Sequence, residues 1–344
     1  MRASIVVVTH NSAGYIEACL RAISADMGAH DELIVVDCGS ADGTAELVRA
    51  RFPQARLLAA ANLGFAGGNN LGAQLASGEY LVLLNPDTLV RPGAIDALIA
   101  PLARHADVGL STGCVVHLRR PAIVNACGNT MHYTGLTYCR GAGRPASQYA
   151  APADVDAVSG AACAIRRALF EALGGFDDHF FMYVEDTDLS LRARLAGFRC
   201  VYAPGALVEH DYRPGYSPDK AFYLDRNRHL MLLKNLRRAT YARLLPGLLL
   251  GEAVTWGFLL LKGPRFWGVK LRVYRALWAE RGYIRAARQA GRSLRRRSDR
   301  AVLARLTWRL EFGQLASRTL AACAAAVFHP VFWALRAPIG GGRA

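Results

Sequence analysis

The sequence has no C-x-x-C pair; its eight cysteines, Cys19, Cys38, Cys114, Cys127, Cys139, Cys163, Cys200 and Cys323, are scattered. That spacing argues against a disulfide-rich secreted scaffold. Nor does a leader pattern precede the first apolar run: Met1-Arg2-Ala3 leads straight into Ser4-Ile5-Val6-Val7-Val8, so the expectation is a reducing, cytoplasmic compartment. The 33 glycines follow no fixed period, which excludes a fibrous chain. Wholesale disorder is excluded by 52% hydrophobic residues and by 13 Phe, 13 Tyr and 5 Trp. A Walker A loop is absent, because no Gly-rich stretch ends in Lys-Ser/Thr, and G-x-G-x-x-G is absent too. Acidic residues are scarce toward the end: residues 221–344 hold 24 Lys/Arg and 5 Asp/Glu, a net of +19. Residues 1–220 hold 18 and 22, a net of −4. The first part has the carboxylates of an enzyme, and the second is suited to a polyanion or an anionic membrane surface. With 344 residues the chain is long enough for about two domains.

What is present begins with alternation. Residues 4–9, 32–37 (ELIVVD), 56–60 and 80–84 (YLVLL) are apolar runs of strand length, and residues 13–25, 44–51, 69–76 and 92–102 have helical character. This order predicts an open α/β sheet with right-handed crossovers. Ligands on such sheets sit beyond the carboxyl ends of the strands. Thr9-His10-Asn11, Asp37-Cys38-Gly39-Ser40 and Asn85-Pro86-Asp87 each lie at such an end. Residues 115–158 read as irregular strand and loop. Helices are expected over 166–173, 185–196 and 220–236, with a short strand over 198–202.

Several clusters carry chemistry. Asn85-Pro86-Asp87 is a D-x-D-like turn: Asp87 offers a carboxylate to a hard cation on a diphosphate, although a capped turn explains the same residues. Asp37 is placed either to accept hydrogen bonds from a base or ribose or to cap the next turn. Asn62-x-Gly64-Phe65-Ala66-Gly67-Gly68-Asn69-Asn70 reads as a Gly-rich loop opening a helix, where backbone can approach a phosphate. Glu185-Asp186-x-Asp188 crowds three carboxylates into one helical turn behind the apolar Phe180-Phe181-Met182-Tyr183. Crowding raises at least one pKa toward that of a working base, and the helix N-terminus opposes it. His210 is either structural or the partner of Asp87 in a cation site.

Five segments occur in order: Val6-Val7-Val8-Thr9-His10-Asn11-Ser12, Val35-Val36-Asp37-Cys38-Gly39-Ser40, the glycine-rich 62–70 stretch, Leu84-Asn85-Pro86-Asp87-Thr88, and Phe181-Met182-Tyr183-x-Glu185-Asp186-x-Asp188-Leu189-x-x-Arg192. Together they resemble an inverting family 2 glycosyltransferase of the GT-A fold, in its rhamnosyltransferase-like branch, over residues 4 to about 236. The resemblance implies a Rossmann-like nucleotide-sugar fold. Thr9 and Asp37 would line the nucleoside pocket, and Asn62, Gly64, Gly67 and Asn69 would form the wall behind the nucleotide sugar. Asn85 and Asp87 would meet the diphosphate, with Asp87 and His210 holding Mg²⁺ or Mn²⁺. Asp186 would be the general base, Glu185 would hold the acceptor and Arg192 would pair with the acidic cluster. The departure is Asn85, where many members have a first Asp; a neutral ligand implies modest cation affinity. The implied reaction moves a sugar from a nucleotide-diphospho-sugar, with dTDP-rhamnose the leading donor, to a saccharide or polyprenyl-diphosphate-linked acceptor. It inverts the anomeric centre, in surface polysaccharide or cell-wall glycan synthesis.

The expected domains are 1–236, divided into a nucleotide-binding half over 1–115 and an acceptor and catalytic half over 116–236, followed by a mostly helical basic extension over 237–344. Residues 244–261 (LLPGLLLGEAVTWGFLLL) carry one charge, Glu252. Pro246, the glycines and Glu252 favour a core, re-entrant or interfacial helix over a simple span. A basic run over 281–309 and an apolar stretch over 316–335 follow. The expectation is a peripheral protein on the anionic inner face of the plasma membrane, with insertion of 244–261 as the alternative. A nucleic-acid partner is not expected, because the arginines lie between Leu/Ala/Trp blocks rather than among base-reading elements. A catalytically inactive scaffold would be expected to lack Asp87 or Asp186, and both are present.

Overall fold

The four apolar runs form the parallel centre of one sheet in a computed structural model, which describes residues 3–212, 215–314 and 318–336. Met1 and Arg2, before the first strand, and Ala316, at the start of the second apolar stretch, lie outside the described residues. The strands are β1 (Ala3–Thr9), β2 (Glu32–Cys38), β3 (Arg56–Ala60), β4 (Tyr80–Leu84), β5 (Thr88–Val90), β6 (Val108–His117), β7 (Arg120–Ala126), β8 (Asn129–Met131), β9 (Thr137–Cys139), β10 (Ala153–Val155), β11 (Ala162–Arg166) and β12 (Arg199–His210). The main sheet runs β10-β12-β6-β11-β4-β1-β2-β3, with β5 on β12 and β7 on β6; β8 and β9 pair with each other. β4, β1, β2 and β3 are parallel, β11 is antiparallel to β4 and β6, and β12 is parallel to β6.

β1, β2 and β4 read as continuous apolar runs because helices cover them, as burial on both faces requires. The stretch beyond residue 107 was less legible. β6, VGLSTGCVVH, is buried almost throughout, yet its Gly, Ser and Thr break the apolar signal. Those hydroxyls are satisfied inside: Ser111 Oγ donates to Leu98 O, and Thr112 Oγ1 donates to Ala162 O at 3.0 Å. β12 runs to His210 rather than stopping near residue 202, because Pro204-Gly205 is absorbed as an irregularity between Ala203 and Leu207. That continuation carries His210 to the ligand edge.

The helix Gly64–Leu75 begins five residues before the expected 69, so the glycine-rich stretch is helix rather than loop. Its glycines let the helix lie close on β1. A Cβ on Gly68 would fall 2.6 Å from Val8 Cγ1, and one on Gly72 would fall 2.4 Å from Val6 Cγ1. Gly72→Ala should therefore destabilise the fold by about 1–3 kcal/mol through overpacking. A thermal melt reads it as a drop of about 2–4 °C per kcal/mol; an unchanged midpoint would show that helix and strand separate without cost.

The chain divides into two compact units, one of Met1–Asn129, Cys139–Ala193 and Phe198–Arg213, the other of Thr130–Tyr138, Arg194–Gly197 and Pro214–Ala344. The second is mostly helical, with long helices over Pro218–Asn235, Arg238–Leu261, Val269–Ala279, Arg281–Ala290 and Arg318–Leu335. Within it, buried charges are paired. Arg228 meets Asp225 at 2.7 Å and also Glu252; Lys270 meets Asp225 at 2.7 Å and Glu252 at 2.9 Å. Burial pushes the Glu252 carboxyl up, but the His229 hydrogen bond and the charges of Arg228, His229 and Lys270 outweigh it and hold the carboxyl well below its usual range. Asp225, His229 and Glu252 are close enough together to hold a metal ion. Arg228 and Lys270 already neutralise the two carboxylates, so this cluster is a charge network. Among the described residues Arg238–Leu261 is the one helix long and apolar enough to cross a membrane.

Candidate active site

The parallel register sets Thr9 beside Asp37 at the carboxyl ends of β1 and β2. Asp37 Oδ1 accepts Ser40 Oγ–H at 2.5 Å, and Oδ2 accepts Ser40 N–H at 3.1 Å. Its carboxylate therefore closes the turn after β2. Asn11, at φ +52°, knits the two strand ends together. Its N–H donates to Ser40 Oγ, and its Oδ1 accepts Ala41 N–H, each at 2.8 Å. Asp42 links the same two loops, accepting Ala13 N–H at 3.0 Å and Thr44 Oγ1–H at 2.5 Å. Thr9 Oγ1 is buried with no hydrogen-bond partner among the described residues. An orphaned hydroxyl at a strand end is a group that a bound nucleoside or an ordered water would satisfy.

Asn62 and Gly64 stand at the start of the Gly64–Leu75 helix, where Asn62 Oδ1 accepts Gly64 N–H at 3.1 Å. Gly64 has φ +68°, and a Cβ there would fall 2.3 Å from Phe181 O. Ala66 N–H donates to that same oxygen at 3.1 Å. The helix start is thus docked on the segment that leads to the carboxylate cluster. Gly67 lies one turn in, and Asn69 is buried, its Nδ2 donating to Phe65 O at 2.9 Å within the helix. Asn70, not singled out in the sequence as a site residue, bridges to Phe176 O at 2.8 Å and Asp178 Oδ1 at 2.6 Å.

β4 delivers Asn85-Pro86-Asp87 to the same edge. Asn85 N–H donates to Ala161 O at 3.1 Å, and Asn85 O accepts Thr88 Oγ1–H at 2.7 Å, fixing the corner. β5 pairs with the end of β12, so His210 sits opposite Thr88. His210 Nε2 lies 3.1 Å from Asp87 Oδ1, and His210 Nδ1 lies 3.0 Å from Asn125 Oδ1. The Asn125 amide oxygen is an acceptor for Nδ1–H, which leaves Nε2 as the ring nitrogen that faces the Asp87 carboxylate. A carboxylate oxygen and an imidazole nitrogen 3.1 Å apart are close enough to share a cation. Cis ligands about 2.1 Å from an octahedral ion lie roughly 3.0 Å apart. The donor set, one carboxylate and one imidazole beside Asn85, fits Mg²⁺ or Mn²⁺.

The carboxylate cluster is entered through strained backbone. Phe181, Tyr183 and Val184 have φ of +62°, +67° and +70°. A β-branched residue there is costly, and such strain persists only where surrounding structure imposes it. The helix Glu185–Leu195 follows at once. Asp186, half-buried, is gripped on both oxygens: Oδ2 accepts Gly160 N–H at 2.9 Å and Asn129 Nδ2–H at 3.2 Å, and Oδ1 accepts Thr187 N–H at 2.6 Å. Burial raises its pKa above the ordinary 3.8, and the donors from Gly160, Thr187 and Asn129 pull partly back. Glu185 is buried, and its Oε2 has no hydrogen-bond partner among the described residues. Burial, then the charges of Asp186 and Asp188, push it well above the ordinary 4.5. Asp188 is neutralised by Arg192 at 2.8 Å, and Arg192 also holds Leu173 O and Gly175 O.

One pair of residues joins the two halves of this site. Gly160 N–H holds Asp186, and Ala161 O holds the Asn85 N–H. A Cβ on Gly160 would meet Phe65 Cζ at 3.2 Å. Gly160, Asn125 and Asn129 were not picked out from the sequence. Their signal is faint: Asn125-Ala126-Cys127-Gly128-Asn129 and Ser159-Gly160 lie at or beside a stretch without clear periodicity.

Comparison with known proteins bears on the whole arrangement. The family model for glycosyltransferase-like family 2 matches residues 2–229. The chain is 31% identical over 245 residues to the N-acetylglucosaminyl-diphospho-decaprenol L-rhamnosyltransferase of Mycobacterium tuberculosis, spanning 64% of this chain and 79% of that protein. It is 25% identical over 235 residues to rhamnosyltransferase WbbL of Escherichia coli K12, spanning 63% of this chain and 87% of that one. Among solved structures, S. aureus TarS 1-349 in complex with UDP-GlcNAc superposes with a TM-score of 0.55 at 19% identity, over 85% of this chain and 89% of that one. GalNAc-T7 with UDP, GalNAc and Mn²⁺ gives 0.57 at 16% identity, over 69% of this chain and 48% of that one. At these identities the structures speak for the GT-A fold alone.

Proposed function

The chain belongs to glycosyltransferase family 2, with rhamnosyltransferase relatives, and on that premise we propose that it transfers L-rhamnose from dTDP-rhamnose to a polyprenyl-diphosphate-linked saccharide with inversion. The rhamnosyltransferase relatives support the donor, and the observation that carries the transfer step is the grip on Asp186. Gly160 N–H, Asn129 and Thr187 fix both carboxylate oxygens, and the adjacent Ala161 anchors the Asn85-Pro86-Asp87 corner. Base and diphosphate corner are therefore held by consecutive residues of one segment.

In the proposed reaction the nucleoside lies against Thr9 and the turn closed by Asp37, and the diphosphate meets the corner at Asn85 and Asp87. Asp87 and His210 would hold Mg²⁺ or Mn²⁺, which supplies positive charge against the developing charge of the departing nucleoside diphosphate. Asp186 takes the proton of the acceptor hydroxyl as its oxygen attacks the anomeric carbon from the face opposite the leaving group. A single displacement inverts that centre. Glu185, whose carboxyl burial pushes well above its ordinary range, would stand beside Asp186 and hold the acceptor. Purified protein should be offered dTDP-rhamnose, UDP-GlcNAc and GDP-mannose with a polyprenyl-diphosphate saccharide. Turnover with another donor and none with dTDP-rhamnose would overturn the donor assignment.

The expected domain division places chemistry in the first part and membrane attachment in the helical part. The second unit supports that division by what it exposes. Trp267, Trp278 and Trp333 are 52%, 72% and 53% exposed, alongside Leu249, Leu261 and Val327. Arg281 stands 4.9 Å over Trp278, and Arg336 stands 5.3 Å over Trp333. Tryptophan beside arginine suits the headgroup boundary of an anionic bilayer. Glu252 on the Arg238–Leu261 helix, ion-paired to Arg228 and Lys270 of the Pro218–Asn235 and Val269–Ala279 helices, favours a surface-lying helix over a simple span. The full-length protein should sediment with anionic vesicles and be partly stripped by high salt. Trp278→Ser should weaken vesicle binding roughly tenfold; binding equal to that of the parent, or indifferent to both salt and lipid charge, would refute the interfacial reading.

A further inference from the structure

Two asparagines on one short run reach both halves of the site. Asn125 ends in β7 and Asn129 opens β8, and both are 8% exposed. Between them Cys127 N–H donates to Arg140 O at 2.9 Å, and Gly128 O accepts Arg140 N–H at 2.9 Å. Gly128 turns the chain at φ +79°, and a Cβ there would meet Val155 Cγ1 at 3.0 Å and Ala157 O at 3.1 Å. The run is therefore rigid and re-aimed in the middle, with one amide sent to each side. Asn125 presents Oδ1 to His210 Nδ1 at 3.0 Å. Asn129 presents Nδ2 to Asp186 Oδ2 at 3.2 Å and to Val158 O at 2.9 Å, and its backbone exchanges hydrogen bonds with Ala157.

We propose that Asn125 and Asn129 are positioning residues with separate tasks: Asn125 holds His210 with its Nε2 lone pair turned to Asp87, and Asn129 aims the Asp186 carboxylate at the acceptor. This inference rests on the reading of Asp186 as base and of Asp87 with His210 as cation ligands. An imidazole ligand needs its other ring nitrogen held as a donor, and loss of such a partner weakens metal binding about 10–100-fold. Asn129 shares Asp186 Oδ2 with Gly160 N–H, so without it the carboxylate keeps one donor on that oxygen and gains freedom to rotate. A small misalignment of a base lowers the rate without weakening donor binding.

Leucine keeps the volume of asparagine and removes the hydrogen bond, so the test uses Asn125→Leu and Asn129→Leu, with Asn125→Asp restoring an acceptor for His210 Nδ1–H. Mn²⁺ affinity is read from the free-Mn²⁺ resonance signal without any sugar donor, and kcat and donor KM are read at saturating Mn²⁺. Asn125→Leu should bind Mn²⁺ about 10–100-fold more weakly, and Asn125→Asp should return to within about threefold of the parent. Asn129→Leu should leave Mn²⁺ affinity and KM within about twofold and lower kcat about 10–100-fold. If either leucine variant fails to fold, Asn125→Ala and Asn129→Asp carry the same two readouts. Parent-like Mn²⁺ affinity at position 125, parent-like kcat at position 129, or equal loss of both quantities in both variants overturns the proposal, the last because it marks a shared structural strut. A parent that neither binds Mn²⁺ nor transfers sugar refutes the underlying functional reading instead.

Discussion

Asp186→Asn should lower transfer by roughly 10²–10⁴ while leaving the affinity for the sugar donor within a few-fold. The substitution keeps the size of the side chain and the acceptor oxygen for Gly160 N–H or Thr187 N–H, but it removes the group that takes the proton. The pH dependence gives a second readout. Burial holds the Asp186 pKa above its ordinary 3.8, so the acid limb of kcat/KM should lie above that value: activity is present when Asp186 is ionised and is lost as pH falls through its raised pKa. The variant should lack that limb. Transfer by Asp186→Asn at more than a tenth of the parent rate, with the limb unchanged, would move the base elsewhere.

Asp87→Ala should lower kcat/KM by about 10²–10³ at fixed cation and raise the cation concentration needed for half-maximal rate. Asp87 is the one carboxylate in a donor set completed by the His210 imidazole and the Asn85 amide, so its removal leaves no anionic ligand there. His210→Ala should act in the same direction and more mildly. The check is cation titration of each variant beside the parent, together with the parent in excess chelator. Unchanged parent activity in chelator would exclude a metal requirement, and with it the assignment of Asp87 and His210.

Much of the first hundred residues is legible without coordinates. Buried parallel strands need unbroken apolar runs, and 32–37, 56–60 and 80–84 lie within a residue of β2, β3 and β4. The carboxyl ends of parallel strands are where polar residues gather, so Thr9, Asp37 and Asn85 to Asp87 stood out as neighbours in function before they were neighbours in space. The stretch beyond residue 107 is harder to read. β6 hides its burial behind serine, threonine and glycine whose hydroxyls are satisfied internally, and β12 passes through Pro204-Gly205, which normally end a strand. In the 62–70 stretch the glycines suggest a loop up to residue 69, whereas the helix begins at Gly64. Gly64 and Gly68 in this stretch, with Gly72 beyond it, let the helix pack closely on Phe181, Val8 and Val6.

By itself the sequence determined the order of strands and helices around the nucleotide half, the carboxylates available for catalysis and the concentration of positive charge after residue 220. These are local or summed properties, set by side-chain period and composition. Only the tertiary structure decided the surroundings of each carboxylate. Glu185 and Asp186 are adjacent in sequence, yet among the described residues one is buried with an oxygen that has no hydrogen-bond partner and the other is gripped by Gly160, Asn129 and Thr187. Tertiary structure also brought His210 to Asp87 and Asn125 to His210, across 123 and 85 residues of chain. Such pairings depend on strand register and on a bulge that no local pattern encodes, because a hydrogen bond is decided by where two backbones meet and not by what lies beside either of them in sequence.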